Sequence, residues 1–599
     1  MPPNQYPQSD NLRTDSGISI PELSKPTPAS TTLNRGQGSR TISYWDRLYL
    51  SGIPYRPIDI AWTTRALVSI IGTVAGMAFV DLPFLIRTGF KVNSEHHPVS
   101  WGPFYSFCMA VSRASSSSTY NAAQLRTVSN VIALFVRPRM MHLSNYSIKP
   151  NVSFKVHLDT LLKPERATLF ETRRRLGLTE KHQGRNPLDP SPEFLQSFLP
   201  DPHNKRGGPA NLPEESGMLG EDGTYTLRGE WIEALEDPRQ ISELNVKARS
   251  NVVLLYLHGG GHVFCSPTFH RQLVTRMLLE FGPGARAFVV DYRLAPEDPF
   301  PAAIHDAYAT YLYLTQQNNE AINLCHNGRA NAHPTLPIDP RDIVLAGDSA
   351  GAGMAIALQL YLRDYVQPSV QSKLLMPPVT VLISAWADIS TSMPSATNKH
   401  SYCYTPSPMG VNPFLDQETF YAFPKFNFAR TYLCGDSNLI PNERNSAGKE
   451  VEWEWYRHLA QHPLVTPVYT ADLSGLESST LLQTGTFDRL ADDTRLYAHK
   501  LGEANPNERV RLELYKDMVH VHQFFEFLPM AEQAMQSMVA FVENAQEQNR
   551  HCSSESKTRG SQGTEWIVVG LDGTERDGHD DEGSPLEVLE KCWRPDLNP

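Results

Sequence analysis

Short apolar runs, each followed by turn residues, recur through the second half of the chain. Val252–Leu257, Ala287–Val290, Ile343–Ala346, Val379–Ile383, Leu481–Thr484 and Val510–Leu514 read as strands. Most of them show little of the alternation of half-exposed strands, so both of their faces are expected to be covered. Helical stretches fall between them, at Arg271–Glu280 and Ala302–Leu314. This alternation predicts an α/β fold, with a mostly parallel central sheet and helices on both faces. Tyr225–Glu233 reads as a strand pair opening the region. Ligands of such sheets bind outside the carboxyl ends of the strands, so the loops there are where chemistry is expected.

The first half of the chain has another texture. Residues 1–40 are rich in Pro, Ser, Thr, Asn and Gln and bury too little to offset their ordering entropy. They are expected to be disordered, and they lack the residue order of a signal peptide. Ala66–Ile86 is the most apolar stretch. About fifteen residues precede its first charge, Asp81, where about twenty are needed to span a bilayer. A membrane-associated helix is expected over 60–90, spanning or lying on the surface; a buried helix is the alternative. Trp62, Arg65 and Arg87 suit interface anchors. Arg40, Arg47, Arg56 and Arg65 precede the stretch, and the sequons at Asn145 and Asn151 follow it. That order fits a body on the lumenal side of the endoplasmic reticulum; a surface-lying helix would leave it in the cytoplasm. Residues 91–224 read as an N-terminal helical or cap region, with helices near Leu125–Arg137 and Glu165–Leu178. The α/β domain is assigned 225–545, and 546–599 a polar, acidic tail.

At 599 residues the chain exceeds one compact core. A net charge of -11 argues against nucleic acid as a partner. Seven cysteines stand singly with no Cys-x-x-Cys pair, which gives zinc or redox chemistry little basis. No metal or cofactor is expected.

Three loops carry candidate chemistry. Ile343–Ala346 runs into Gly347-Asp-Ser-Ala-Gly351 and then the helix formers Ala352–Leu360. Strand, Gly-x-Ser-x-Gly and helix form the context of a nucleophile elbow. Its glycines are expected where side chains two residues either side of Ser349 would clash. The second loop, His258-Gly-Gly-Gly-His262 after Leu257, leaves backbone N–H groups uncovered for an oxyanion. The third, Asp291-Tyr-Arg-Leu-Ala-Pro-Glu297, follows Val290.

Together these segments resemble the hormone-sensitive-lipase-like branch of the α/β-hydrolase fold, over about residues 225–545. The resemblance implies a carboxylesterase, lipase or deacetylase with a Ser-Asp-His triad. It gives the Tyr-Arg-Leu-Ala-Pro-Glu segment a bracing role only. Ser349 is the implied nucleophile, and Asp488, the first Asp of Asp-x-Leu-x-Asp, the implied acid. His520 and His522 compete as base; the branch's Met-x-His pattern selects His520. The N–H groups of Gly260, Gly261 and Ala350 are the implied oxyanion donors, and His262 is expected in the wall. Asp492 and Asp493 are expected within the next helix, facing away from a strand-end loop. The chain departs from the pattern at Ala385, where Pro is usual, and by insertions at about 316–340 and 393–450. The second insertion, with Tyr404 and Phe428 among its aromatics, reads as lid or core. The implied substrate is a hydrophobic ester or lipid. Amide hydrolysis, as by arylacetamide deacetylases, and a non-catalytic receptor like those for plant gibberellin are the alternatives.

Overall fold

A computed structural model describes residues 146–157, 224–235, 250–315, 337–367, 376–397, 427–435, 459–551 and 564–578 nearly throughout, with scattered residues elsewhere. All lie within the unit Leu48–Pro599. The segment 1–40 expected to be disordered, the helices expected at 60–90 and Glu165–Leu178, and most of the aromatic insertion fall outside the described residues. Among the described residues, no helix is long and apolar enough to cross a membrane.

The strands are β1 (Tyr146–His157), β2 (Thr224–Ala234), β3 (Val253–Leu257), β4 (Arg286–Val290), β5 (Ile343–Asp348), β6 (Val379–Ile383), β7 (Ser479–Gly485), β8 (Val510–Tyr515), β9 (Glu565–Val569) and β10 (Glu575–Asp577). They form one sheet in the order β1-β2-β4-β3-β5-β6-β7-β8-β9-β10. From β4 to β9 all neighbours are parallel. The β1–β2, β2–β4 and β9–β10 pairs are antiparallel. The mostly parallel sheet expected from the apolar runs is therefore present.

Period-two geometry divides β3 between two cores. Val253, Leu255 and Leu257 join one core, with residues of helices α2 (Ala302–Thr315), α3 (Ala350–Tyr361) and α5 (Ala491–Ala504). Leu254 and Tyr256 join the other, with residues of α1 (Pro267–Phe281) and α6 (Pro529–His551). The short α4 (Phe428–Cys434) packs into the first core. Burial on both faces explains the near-continuous apolar runs.

The sheet extends beyond residues 225–545 at both ends. The segment read as a strand pair is the single strand β2, which lies between β1 and β4. Strand β1 is masked in the sequence by Pro150 and Asn151, which coincide with a register shift between Lys149 and Val152. Proline lacks a ladder donor and is accommodated at an edge or bulge. The tail read as merely polar and acidic contributes β9, Glu565-Trp-Ile-Val-Val569, which pairs with β8. Its acidity is matched locally: Glu565 pairs with Arg509 at 3.2 Å and Arg511 at 3.1 Å, and Glu575 with Arg511 at 3.1 Å.

Candidate active site

Ser349 joins β5 to α3 with φ 54° and ψ -122°, outside the ordinary regions for a side-chain-bearing residue. Its surroundings hold it there. Its N–H donates to Ile383 O at 2.8 Å, and its carbonyl accepts from Gly353 and Trp386 N–H groups, both at 3.1 Å. A Cβ at Gly347 would lie 2.6 Å from Gly351 O, the clash across the turn that the pattern predicts. Gly351 has a different reason. A Cβ there would lie 2.0 Å from Leu257 O, so the glycine lets α3 approach the end of β3.

Asp488 sits in the turn after β7 and His520 in the loop after β8, both strand-end positions. His520 Nδ1 lies 3.0 and 3.2 Å from the two Asp488 oxygens, and His520 Nε2 lies 2.9 Å from Ser349 Oγ. Asp488 has further donors in Leu490 N–H at 3.0 Å and the Thr484 hydroxyl at 3.1 Å. Burial pushes its carboxyl up, but the charge and hydrogen bond of His520, with other donors, outweigh that and hold it below the usual value. An ionised carboxylate only accepts, so Nδ1 carries the proton and Nε2 is free to accept from the serine. His520 is thus the histidine beside Ser349. His522 is buried with no hydrogen-bond partner for either ring nitrogen, its ring 4.8 Å from Tyr515, and burial holds its pKa down at about 3.

Gly260 (φ 113°) and Gly261 (φ 59°) lie in the loop after β3, and Ala350 is the first residue of α3. Positive φ values at Gly260, Gly261 and His262 (φ 60°) turn the loop sharply, and the first two fall on glycine, which adopts them readily. A Cβ on Gly261 would come within 2.5 Å of the Phe428 ring. His262 stacks on Tyr432 at 3.9 Å, and burial lowers its pKa to about 3, so it is a wall residue.

Several supporting residues escaped the sequence reading. Asp348, next to Ser349, accepts from the Tyr256 hydroxyl at 2.7 Å and from Gly259 N–H at 3.0 Å, and pairs with His270. Its signal is an acid closing a strand that is otherwise apolar. Tyr292 OH donates to His258 O at 2.6 Å, consistent with bracing by the Tyr-Arg-Leu-Ala-Pro-Glu segment. Arg126, in the expected helix near Leu125–Arg137, donates to Val263 O at 2.8 Å and Ala295 O at 2.7 Å. The Tyr404 hydroxyl donates to His520 O at 3.0 Å.

Asp492 and Asp493 do lie in α5, but they do not face away from every loop. Both brace the segment after β6: Asp492 accepts from Ser395 N–H at 2.8 Å, and Asp493 from Asp388 N–H at 3.1 Å. Burial, then the nearby Asp388 charge, raises the Asp493 carboxyl well above its ordinary value. A raised folded pKa means that the native state binds more proton than the unfolded chain. The stabilisation is therefore present below the unfolded value of about 4 and lost as pH rises through the folded value. Each proton so linked gives a slope of about 1.4 kcal/mol per pH unit. Asp493→Asn is expected to flatten the fall in stability on going upward from pH 5, read by urea unfolding at several pH values. An unchanged slope would remove Asp493 as the linked group.

Among the described residues no cluster of His, Cys, Asp or Glu is suited to hold a metal ion.

The sequence pattern of the α/β-hydrolase fold matches residues 254–417 and 446–524. An acetyl-hydrolase of Streptomyces hygroscopicus is 32% identical over 294 residues, 49% of this chain and 75% of that protein. An esterase of Acinetobacter venetianus is 27% identical over 301 residues, 50% of this chain and 77% of that protein. Among solved structures, an esterase from the bacterial hormone-sensitive lipase family is 27% identical, covering 64% of this chain and 98% of that one at a TM-score of 0.36. The acetyl-hydrolase match spans most of its partner. On that match and the matched fold pattern, the chain belongs to the α/β-hydrolase family.

Proposed function

We propose that the chain is a serine hydrolase of carboxylic esters working by acyl transfer. The observation that carries this reading is the hydrogen-bonded series Asp488–His520–Ser349, at 3.0 and 2.9 Å. His520 takes the proton of Ser349 as Oγ attacks the ester carbonyl. Asp488 orients the imidazole and stabilises the imidazolium. The N–H groups of Gly260, Gly261 and Ala350 receive the oxyanion. Collapse expels the alcohol, which takes the proton from His520. Water, deprotonated by His520, then attacks the acyl-enzyme and releases the acid and Ser349.

Hydrophobic esters suit the surroundings of the loop. Phe428 lies against Gly261, Tyr432 stacks on His262, and Trp386 follows at 6.1 Å from His262. The names of the relatives, acetyl-hydrolase and esterase, support ester substrates. Tyr105 and Met109 from the N-terminal region, and Cys403 and Tyr404 from the insertion, are assigned to cover the site. This is supported by the cluster in which Tyr105, Met109, Cys403 and Tyr404 pack with Val519 and Phe525, beside His520. Purified protein is expected to hydrolyse p-nitrophenyl esters, with a preferred acyl length set by this cover, and to do so faster than the matching anilides. No hydrolysis of any ester across the acyl series by folded protein would overturn the reading. Faster anilide cleavage would make it an amidase.

A further inference from the structure

We propose that Asp348 is a positioning residue for the reaction, setting the oxyanion loop against the nucleophile through its hydrogen bond with Gly259. This deepens the acyl-transfer reading and rests on it.

β3 and β5 pair as far as Leu257 and Gly347. Beyond that pair the two chains diverge into the oxyanion loop and the serine elbow. The Asp348 side chain takes over there, with Oδ1 accepting from Gly259 N–H at 3.0 Å. Asp348 is the chain neighbour of Ser349, and Gly259 of Gly260. One bond therefore sets the separation of the attacking oxygen from the N–H groups that receive the negative charge. Beyond the β3–β5 ladder, no other hydrogen bond among the described residues joins Gly259–His262 to Gly347–Gly351. The other ties of the loop lead elsewhere: Tyr292 OH to His258 O, Ala295 N–H to His262 O and Arg126 to Val263 O.

The carboxylate is itself fixed. Tyr256 OH donates to Oδ1 at 2.7 Å, and His270 Nε2 lies 3.1 Å from Oδ1 and 3.3 Å from Oδ2. His270 stands on α1, so one carboxylate joins the nucleophile strand, the loop after β3 and the helix behind it. Its fit against the loop is close: a Cβ at Gly259 would lie 2.3 Å from Asp348 Oδ2. Asp348 is 2% exposed, and its partners keep it ionised despite burial, which alone would raise its pKa. Oxyanion stabilisation depends steeply on donor placement. Losing one donor costs about a hundredfold to a thousandfold in kcat. A misplacement of about 1 Å costs about a hundredfold.

The test compares Asp348→Val, which removes the acceptor, with Asp348→Asn, which keeps one oxygen for Gly259. Tyr256→Phe removes one support of the carboxylate and leaves the Gly259 bond. Rates are normalised to active sites, and binding of a trifluoromethyl ketone, which forms a tetrahedral oxyanion adduct, is measured beside ester KM. Asp348→Val is expected to lose about a hundredfold in kcat. Its ketone affinity should weaken in parallel, with KM within about threefold. Asp348→Asn should recover most of the loss, and Tyr256→Phe should lose about threefold to tenfold in kcat. A fall confined to KM, or the same loss in Asp348→Asn as in Asp348→Val, would overturn the proposal. If Asp348→Val does not fold, Tyr256→Phe decides, and wild-type kcat and ketone affinity in it overturn the proposal. An active wild type with indifferent variants would sink only this inference. A wild type that neither hydrolyses esters nor binds the ketone would sink the acyl-transfer reading as well.

Discussion

Ser349→Ala is expected to lose at least about a thousandfold in ester hydrolysis while keeping its fold. The size of the loss follows from the site. Ser349 Oγ is the atom 2.9 Å from His520 Nε2, at the carboxyl end of β5, and among the described residues no other hydroxyl bonds that nitrogen. Without it, the remaining groups can only orient water. The fold should survive because the elbow is held by its backbone, through Ser349 N–H to Ile383 O and the Gly353 and Trp386 N–H groups to Ser349 O. These bonds do not use the hydroxyl. Near wild-type turnover in the folded variant would move the nucleophile elsewhere.

His520→Ala is expected to lose as much as Ser349→Ala, because both proton transfers pass through Nε2. His522→Ala should retain activity within about tenfold, since its ring nitrogens hydrogen-bond neither Ser349 nor Asp488 and its ring packs near Tyr515. Its cost should appear in stability instead, as a buried ring is replaced by a cavity. Comparing kcat per folded molecule with the unfolding midpoint separates the two effects. The opposite ranking in kcat would give the base role to His522.

What could be read from the sequence divides along physical lines. Strands β3 to β8 were legible because burial on both faces leaves unbroken apolar runs. Ser349, Asp488 and His520 stood out because each follows such a strand, at the edge where ligands of parallel sheets bind, while the choice of Asp488 and of His520 over His522 rested on the patterns of the resembled branch. Their meeting was not legible, since 171 residues separate Ser349 from His520 and only the fold brings them together. Edge strands were harder. β1 hides behind Pro150 and a bulge, and β9 behind acids whose arginine partners, Arg509 and Arg511, stand just before β8 and on it. Buried polar support was hardest to see. Asp348, Tyr256 and His270 lie far apart in the chain, and nothing in their spacing shows that they share hydrogen bonds. The two glycines of the elbow show the same limit. Gly347 is explained locally by the turn, whereas Gly351 is explained by β3, which the local sequence does not contain.

The central claim, that Ser349 is the nucleophile activated by His520, is tested most directly by covalent labelling. A fluorophosphonate reacts when a serine oxygen attacks phosphorus, fluoride leaves and the hydroxyl proton passes to the base. The labelled protein is digested and the modified residue located by mass spectrometry, alongside loss of ester hydrolysis. The account predicts one phosphonyl group per chain, on Ser349, appearing in step with inactivation and at least about a hundredfold more slowly in His520→Ala. Label on another residue, or inactivation with Ser349 unmodified, would contradict it.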